Sequence, residues 1–416
     1  MLIDLRIEGL NIYFLCPFFG CFCLIGASLS SGQSIFGKYP FLQNILISIS
    51  EILAFIPYLI SNRIKKKSLN NQLNDKENTS KEKNDLAYNE IDEEKSHIKI
   101  LDTIMLGFLD FLQSFILYIG NDLFNNKFRY SFMTIYILFL TVLQKYILDN
   151  SIYRYQIVSL ILFFVFDAIY LIIIFIDKSL KYNALLLIFI FVSNLILSFI
   201  ITYDRKILKN QFISVYKLSI FLGIFSLISN IIASVITTIV SIHVTIDGRE
   251  KIYLFNYKYY IKDVNGHVVK EIILVFVFAI LNGVNNILQL LTIKYLSQNH
   301  VLITYVLLAI YYSILIKFQD IEIKTLTFVF SIIFYIIGFF IIFIYLEIIQ
   351  LNFCGISKDI TIKKGIRTDV DKYMQSFSSD GEENVEKELI LGVQNEETKD
   401  KTKSLASDEY ESYENE

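Results

Sequence analysis

The chain has 416 residues, of which 54% are hydrophobic and 19% charged, and its mean hydropathy is +0.51. A soluble chain of this length carries roughly a quarter charged residues and cannot hide so much apolar surface in one or two cores. Soluble, fibrous and disulfide-scaffold classes are excluded, and a net charge of -3 gives no reason to expect a nucleic-acid partner.

The first apolar stretch, roughly 11–32, follows Asp4 and Glu8 and has no basic segment ahead of it, so it reads as a span and not as a cleaved signal. A second runs over 41–60. The Asn-, Lys-, Glu- and Asp-rich stretch 62–99 is then expected to be a disordered loop. Eight more stretches follow at 101–120, 130–148, 155–176, 184–203, 215–241, 271–293, 299–317 and 325–349. Each is near the ~20 residues that cross ~30 Å of hydrocarbon. The sequence thus predicts an all-α membrane protein with ten transmembrane helices. Period-2 alternation is lacking, which argues against a barrel. Few Pro or Gly interrupt the spans, so straight helices are expected. Between the seventh and eighth spans, Asp247-Gly248 and Asn265-Gly266 predict a small hairpin on the outer face. The acidic tail, 366–416, is expected to be disordered.

Basic residues near span ends set the orientation. Arg63, Lys65, Lys66 and Lys67, then Arg205, Lys206 and Lys209, then Lys358, Lys363, Lys364 and Arg367 fall on one side if there are ten spans. That side is predicted to be cytosolic, with both termini inside. The sequon Asn78-Thr79-Ser80 would then be cytosolic and unused.

Polar groups are costly in hydrocarbon and belong in a bundle interior or a wet cavity. Asp110, Gln113, Ser114, Tyr118 and Asn121 form one stripe on the third span, and Asn282, Asn285, Asn286 and Gln289 form one on the eighth. Asn44, Ser48 and Glu51 line up on the second. Asn194 and Ser198 lie on the sixth, Ser226, Asn230 and Ser234 on the seventh, and Tyr305 and Tyr312 on the ninth. Single Ser and Asn residues of this kind commonly join helices by hydrogen bonds. Four amides on one face of the eighth span exceed that need and equally suit a cavity lining. The carboxylates Glu51, Asp110 and Asp167 carry more information, because an ionised one inside a span costs at least ~2.5 kcal/mol.

Cys16, Cys21, Cys23 and Cys354 lack paired ligand spacing, and His97, His243, His267 and His300 form no cluster, so no metal or cofactor is expected. No HExxH, GxSxG or P-loop occurs, and no enzyme activity is expected.

Pro40-Phe41-Leu42-Gln43, followed after seven residues by Glu51, resembles the second-helix signature of nucleotide-sugar-transporter-like carriers of solute carrier family 35, subfamily F. Asp110 eight residues before Tyr118 is similar to that family's third-helix motif, and Lys294-Tyr295-Leu296-Ser297 to its Lys-x-Leu-Ser ending helix eight. The resemblance spans about residues 11–350. It implies the drug/metabolite transporter fold: ten helices in two inverted five-helix repeats, here about 11–176 and 184–349, with alternating access to a central site. It further implies that helices 1–4 and 6–9 line the cavity, while 5 and 10 are peripheral and often support a homodimer. The expected ligand is a small organic solute, and the expected location an endomembrane such as Golgi, endoplasmic reticulum or a lysosome-like compartment. Glu51, Asp110, Gln113, Tyr118, Asn282, Asn286 and Lys294 are the candidate substrate-binding residues. Lys294 would meet an anionic group near the cytosolic mouth. The deep acidic charges favour a neutral or cationic solute. The alternative is a non-transporting membrane interaction protein that retains the fold. In its favour, Arg129–Met133 replaces the family's Gln-Met-Leu-Arg-Gly, and Val301, Tyr305 and Leu308 stand at its basic and acidic positions in helix nine.

Overall fold

The computed structural model describes residues 3–5, 12–76, 100–124, 133–150, 152–176, 184–210, 213–240, 244–246, 249–251, 257–318, 325–346 and 348–351, some helical side chains excepted. The apolar runs become helices because only a helix or a closed barrel satisfies every backbone N–H and C=O without water. In chain order they are α1 (Cys16–Gln33), α2 (Pro40–Ile52), α3 (Phe55–Lys76), α4 (Ile100–Phe124), α5 (Met133–Leu148), α6 (Arg154–Ile176), α7 (Ala184–Asn210), α8 (Val215–Val240), α9 (Tyr257–Val264), α10 (Val268–Tyr295), α11 (Val301–Phe318) and α12 (Thr325–Tyr345). Every predicted span coincides with one of these helices except the second, which covers both α2 and α3.

Six helical stretches among the described residues are long and apolar enough to cross a bilayer: Tyr13–Gln33, Phe41–Ile64, Ile188–Lys209, Val215–Ile236, Val268–Tyr295 and Phe328–Tyr345. Phe22, Phe164, Phe276 and other large apolar side chains face outward. A water-exposed surface of that kind is unfavourable, and lipid removes the cost. The chain is therefore an all-α, multi-pass membrane protein.

The three prolines each have a helical reason. Pro17 and Pro40 stand in the first turns of α1 and α2, where a missing N–H costs nothing. Pro57 corrects the expectation of straight helices. It cannot donate to the Leu53 carbonyl four residues back, and the second span breaks there. Tighter bonds carry the chain across: Ala54 N donates to Glu51 O (3.1 Å) and Ile56 N to Leu53 O (3.0 Å). Beyond the break, α3 continues to Lys76, into the stretch expected to be disordered. No Gly or Pro stops it between Arg63 and Lys76, and Lys, Leu and Gln favour it. The rest of that loop with its sequon, and the tail 366–416, lie outside the described residues.

Two strand pairs complete the elements. β2 (Val244–Ile246) pairs with β3 (Arg249–Lys251), Ile246 opposite Arg249, and the predicted Asp247-Gly248 turn between them lies outside the described residues. The second predicted pair instead joins two helices. Gly266, at φ +105°, turns α9 into α10, a left-handed conformation that glycine adopts without strain. β1 (Ile3–Leu5) pairs antiparallel with β4 (Ile349–Leu351), tying the start of the chain to the end of α12.

In the packing, α1 lies on α10 and α11, α2 on α8, α10 and α4, and α4 on α7 and α8. α5 meets α7 and α6, α12 meets α6 and α11, and α10 also touches α7 and α8. Contacts fix the directions. Gly20 faces Asn285 and Gly26 faces Leu281, so α1 and α10 are antiparallel. Thr304 donates to Pro17 O (2.8 Å) and Tyr312 to Ser28 Oγ (2.6 Å), so α1 and α11 are parallel. Tyr170 bonds Ser331 (2.7 Å) while Phe163 meets Gly338, so α6 and α12 are antiparallel. A large apolar core includes Leu218, Leu290, Ile293 and Leu302, and a smaller one Ala27, Phe36, Leu46 and Phe278. Along α10 the polar stripe 282–286 lies between the two.

Candidate functional site

The polar stripes meet where α2 crosses α8. Three glycines let backbones touch there. A Cβ on Gly223 would lie 2.8 Å from both Ser48 O and Glu51 Cβ, one on Gly107 would lie 2.5 Å from Phe225 Cβ, and one on Gly283 would lie 2.6 Å from Ser50 O. The helices α2, α4, α8 and α10 are thereby drawn around one buried region.

Hydrogen bonds link the stripes across that region. The Asn230 amide donates to Ser48 Oγ (3.1 Å), and the Ser48 and Ser226 hydroxyls are 2.9 Å apart. Ser226 also bonds the Asp110 carboxyl. The Asn286 amide donates to Ser219 Oγ (3.0 Å), whose hydroxyl donates to Glu51 O (3.0 Å). Several groups are left over. Both polar atoms of Asn44, Glu51 Oε2, Asp110 Oδ2, Asp204 Oδ1 and Asn230 Oδ1 are buried without a hydrogen-bond partner. Each such group costs ~1–3 kcal/mol if nothing else meets it. Glu51, Asp110 and Asp204 lie within electrostatic reach of one another, and no cation faces them among the described residues. Three buried carboxyl groups repel when ionised. The cost falls when one takes a proton or when a positive group enters.

The candidate residues divide. Glu51 and Asp110 belong to this cluster, and Asn286 reaches it through Ser219. Gln113 is buried on the same α4 stripe and accepts from Ser114 (3.4 Å). Asn282 turns back to Phe278 O (3.0 Å) on its own helix, and Asn285 faces Gly20 of α1. Lys294 stands eight residues, about 12 Å, along α10 from Asn286. Its ammonium reaches Ile213 O (3.4 Å) and the Tyr295 ring. The side chains of Tyr118 and Asn121 lie outside the described residues. Asp167 is on α6, away from the four central helices. Ser198 joins α7 to Tyr136 O of α5 (3.2 Å), and Tyr312 joins α11 to α1, both as helix-joining bonds.

Asp204 and Ser219 were not legible as site residues. Asp204-Arg205-Lys206 reads as the start of a charged loop. The only contrary signal is that no breaker follows before Asn210, and α7 indeed continues through it.

Hydrogen bonds gather near both ends of α10. At one end the Glu271 carboxylate accepts from Ile35 N (2.9 Å), Phe36 N (2.7 Å) and Tyr260 OH (3.3 Å), while Tyr39 donates to Asp263 (2.9 Å). Burial, then the Asp263 hydrogen bond, pushes the Tyr39 phenol up to about 12. Burial and the Glu271 charge push Tyr260 up to about 12. At the other end Arg205 donates to the carbonyls of Ile293, Lys294 (2.6 Å) and Leu296 (3.4 Å), capping α10. Asn299 donates to Gln144 Oε1 (2.9 Å).

No protein-family model matches the chain, and no curated protein matches it.

Proposed function

We propose that the protein is a secondary transporter of a neutral or cationic organic solute, with ten crossing helices arranged as two inverted five-helix repeats. The observation that carries the reading is the packing pattern. Let α1, α2 with α3, α4, α5 and α6 be one half, and α7, α8, α10, α11 and α12 the other. Exchanging the halves in order turns α1–α10 into α7–α4, α1–α11 into α7–α5, α2–α10 into α8–α4, α2–α4 into α8–α10, and α5–α6 into α11–α12. The pairs α2–α8 and α6–α12 map onto themselves. All of these pairs are in contact, while the α7–α10 contact has no counterpart of similar size in α1–α4. Five helices per half make such an exchange an inversion across the membrane, the arrangement used for alternating access.

Glu51 of the acidic cluster, with Ser219, Ser226 and Asn230 beside it, lies on the self-mapped α2–α8 pair, where an inverted pair presents one site to both faces in turn, and Asp110 of α4 and Asp204 of α7 reach it from the neighbouring helices. Its carboxyl groups suit a proton or a cationic group on the solute. The helix break at Leu53–Ala54, within one turn of Glu51, supplies a hinge beside it. The motifs resembling solute carrier family 35 agree with this reading and do not identify the solute.

The test is uptake into vesicles with the purified protein, using ligands first found by thermal shift among nucleotide sugars, amino acids, polyamines and thiamine-like cations. Glu51→Gln with Asp110→Asn is expected to abolish uptake while the protein stays folded. Unchanged uptake in the double variant overturns the site. No saturable ligand for a well-folded protein favours the interaction-protein alternative.

A further inference from the structure

A polar cavity lies beyond the acidic cluster, at the end of α10 that Arg205 caps, where the ends of α5 and α7 meet the turn between α10 and α11. It measures about 270 Å³, room for about nine waters at ~30 Å³ each. Its floor is polar and built. Gln144, Gln298 and Asn299 are all more than nine-tenths buried, and each lines it.

The charged lining is Arg205, Lys206, Lys209 and Asp149. Arg205 is committed to the α10 carbonyls. The lysines are not committed in this way. Lys206 lies over the Tyr203 ring at 5.5 Å, and neither lysine forms a salt bridge among the described residues. At i and i+3 on α7 they share a helical face. Two ammonium groups without a salt bridge among the described residues, lining one cavity with buried amides, match a dianion carrying hydroxyls. The amides bond hydroxyl or ester oxygens, and the ammonium groups meet the charge.

We infer that this cavity is a binding site for a phosphate monoester on a polyol, distinct from the transport site. A soluble sugar phosphate and a phosphoinositide headgroup both present that chemistry. The headgroup source is open to a basic pocket at the end of a helical bundle that meets the membrane surface. The inference does not depend on transport.

The experiment uses the full chain in nanodiscs. One arm has neutral lipid with glycerol 3-phosphate or inositol monophosphate added, and the other has phosphatidylinositol 4-phosphate in the bilayer. The readouts are saturable thermal shift and retained lipid by native mass spectrometry. Lys206→Gln with Lys209→Gln is expected to weaken binding about thirtyfold. Lys206→Arg with Lys209→Arg should keep it, and Lys66→Gln with Lys67→Gln, on exposed α3, should leave it unchanged. Saturation by the soluble esters marks an aqueous ligand. Retention of the lipid without competition by them marks a headgroup. The proposal is overturned if neither arm saturates, or if both lysine-to-glutamine pairs weaken binding equally. Failed binding here leaves uptake by the Glu51 and Asp110 cluster untouched, so the two readings fail separately.

Discussion

At the scale of the residue, Asn44 is the most informative side chain. It is 2% exposed, and neither its amide nor its carbonyl has a partner. One turn away Ser48 is fully engaged, so the stripe that reads as uniform in sequence is divided in space between helix-joining groups and groups held open. Replacing a buried polar group that nothing meets by an apolar one of similar size removes a desolvation cost. Asn44→Leu is therefore expected to stabilise the folded protein by about 1 kcal/mol and to lower uptake. Thermal unfolding and vesicle uptake of the same preparation check this, and a destabilised Asn44→Leu would show that the amide has a structural partner. The deep carboxylates Glu51 and Asp110 were legible because a charge inside an apolar run is conspicuous. Lys294 was equally conspicuous, yet its ammonium is turned to the Ile213 carbonyl. Spacing places a side chain on a helix face and does not say which neighbour meets that face.

At the scale of the element, the existence of each long helix was legible from apolar length, and its interruptions were not. Pro57 acts through the carbonyl four residues before it, so the break falls at Leu53–Ala54 and not at the proline itself. The short helix α9 was also hidden, read as part of a hairpin loop, because its tyrosines pack against a distant segment. Tyr260 meets Tyr39 edge-on with ring centroids 5.5 Å apart. This contact has a pH signature. Both phenols sit at about 12, raised from the usual 10.0. Burial favours their protonated form in the folded protein, so the folded state holds more protons than the unfolded state between those values. Their contribution to stability is complete below pH 10 and is lost as the pH rises towards 12. The melting temperature of the unaltered protein should fall across that window more steeply than that of Tyr39→Phe with Tyr260→Phe. Identical slopes would rule the pair out as the cause.

At the scale of the whole molecule, the ends of the helices sort into two groups. Residues 34–39 meet Tyr260, Asp263 and Glu271, while Gln144, Arg205 and the 293–299 turn meet one another. This alternation agrees with the ten crossings proposed above. In a cysteine-free background, Lys262→Cys and Asn150→Cys are expected to react with an impermeant maleimide from opposite faces of a sealed vesicle. Labelling from one face would refute the ten-span topology. Composition and run length alone determined that the chain is helical and multi-pass in a membrane, because burying backbone polar groups in lipid leaves few other structures. They also determined where each apolar segment lies. Only the tertiary structure decided which polar residues converge, because convergence depends on which helices cross. Those crossings are set by Gly107, Gly223 and Gly283 meeting backbone or side chains far away in sequence, information that no single helix contains.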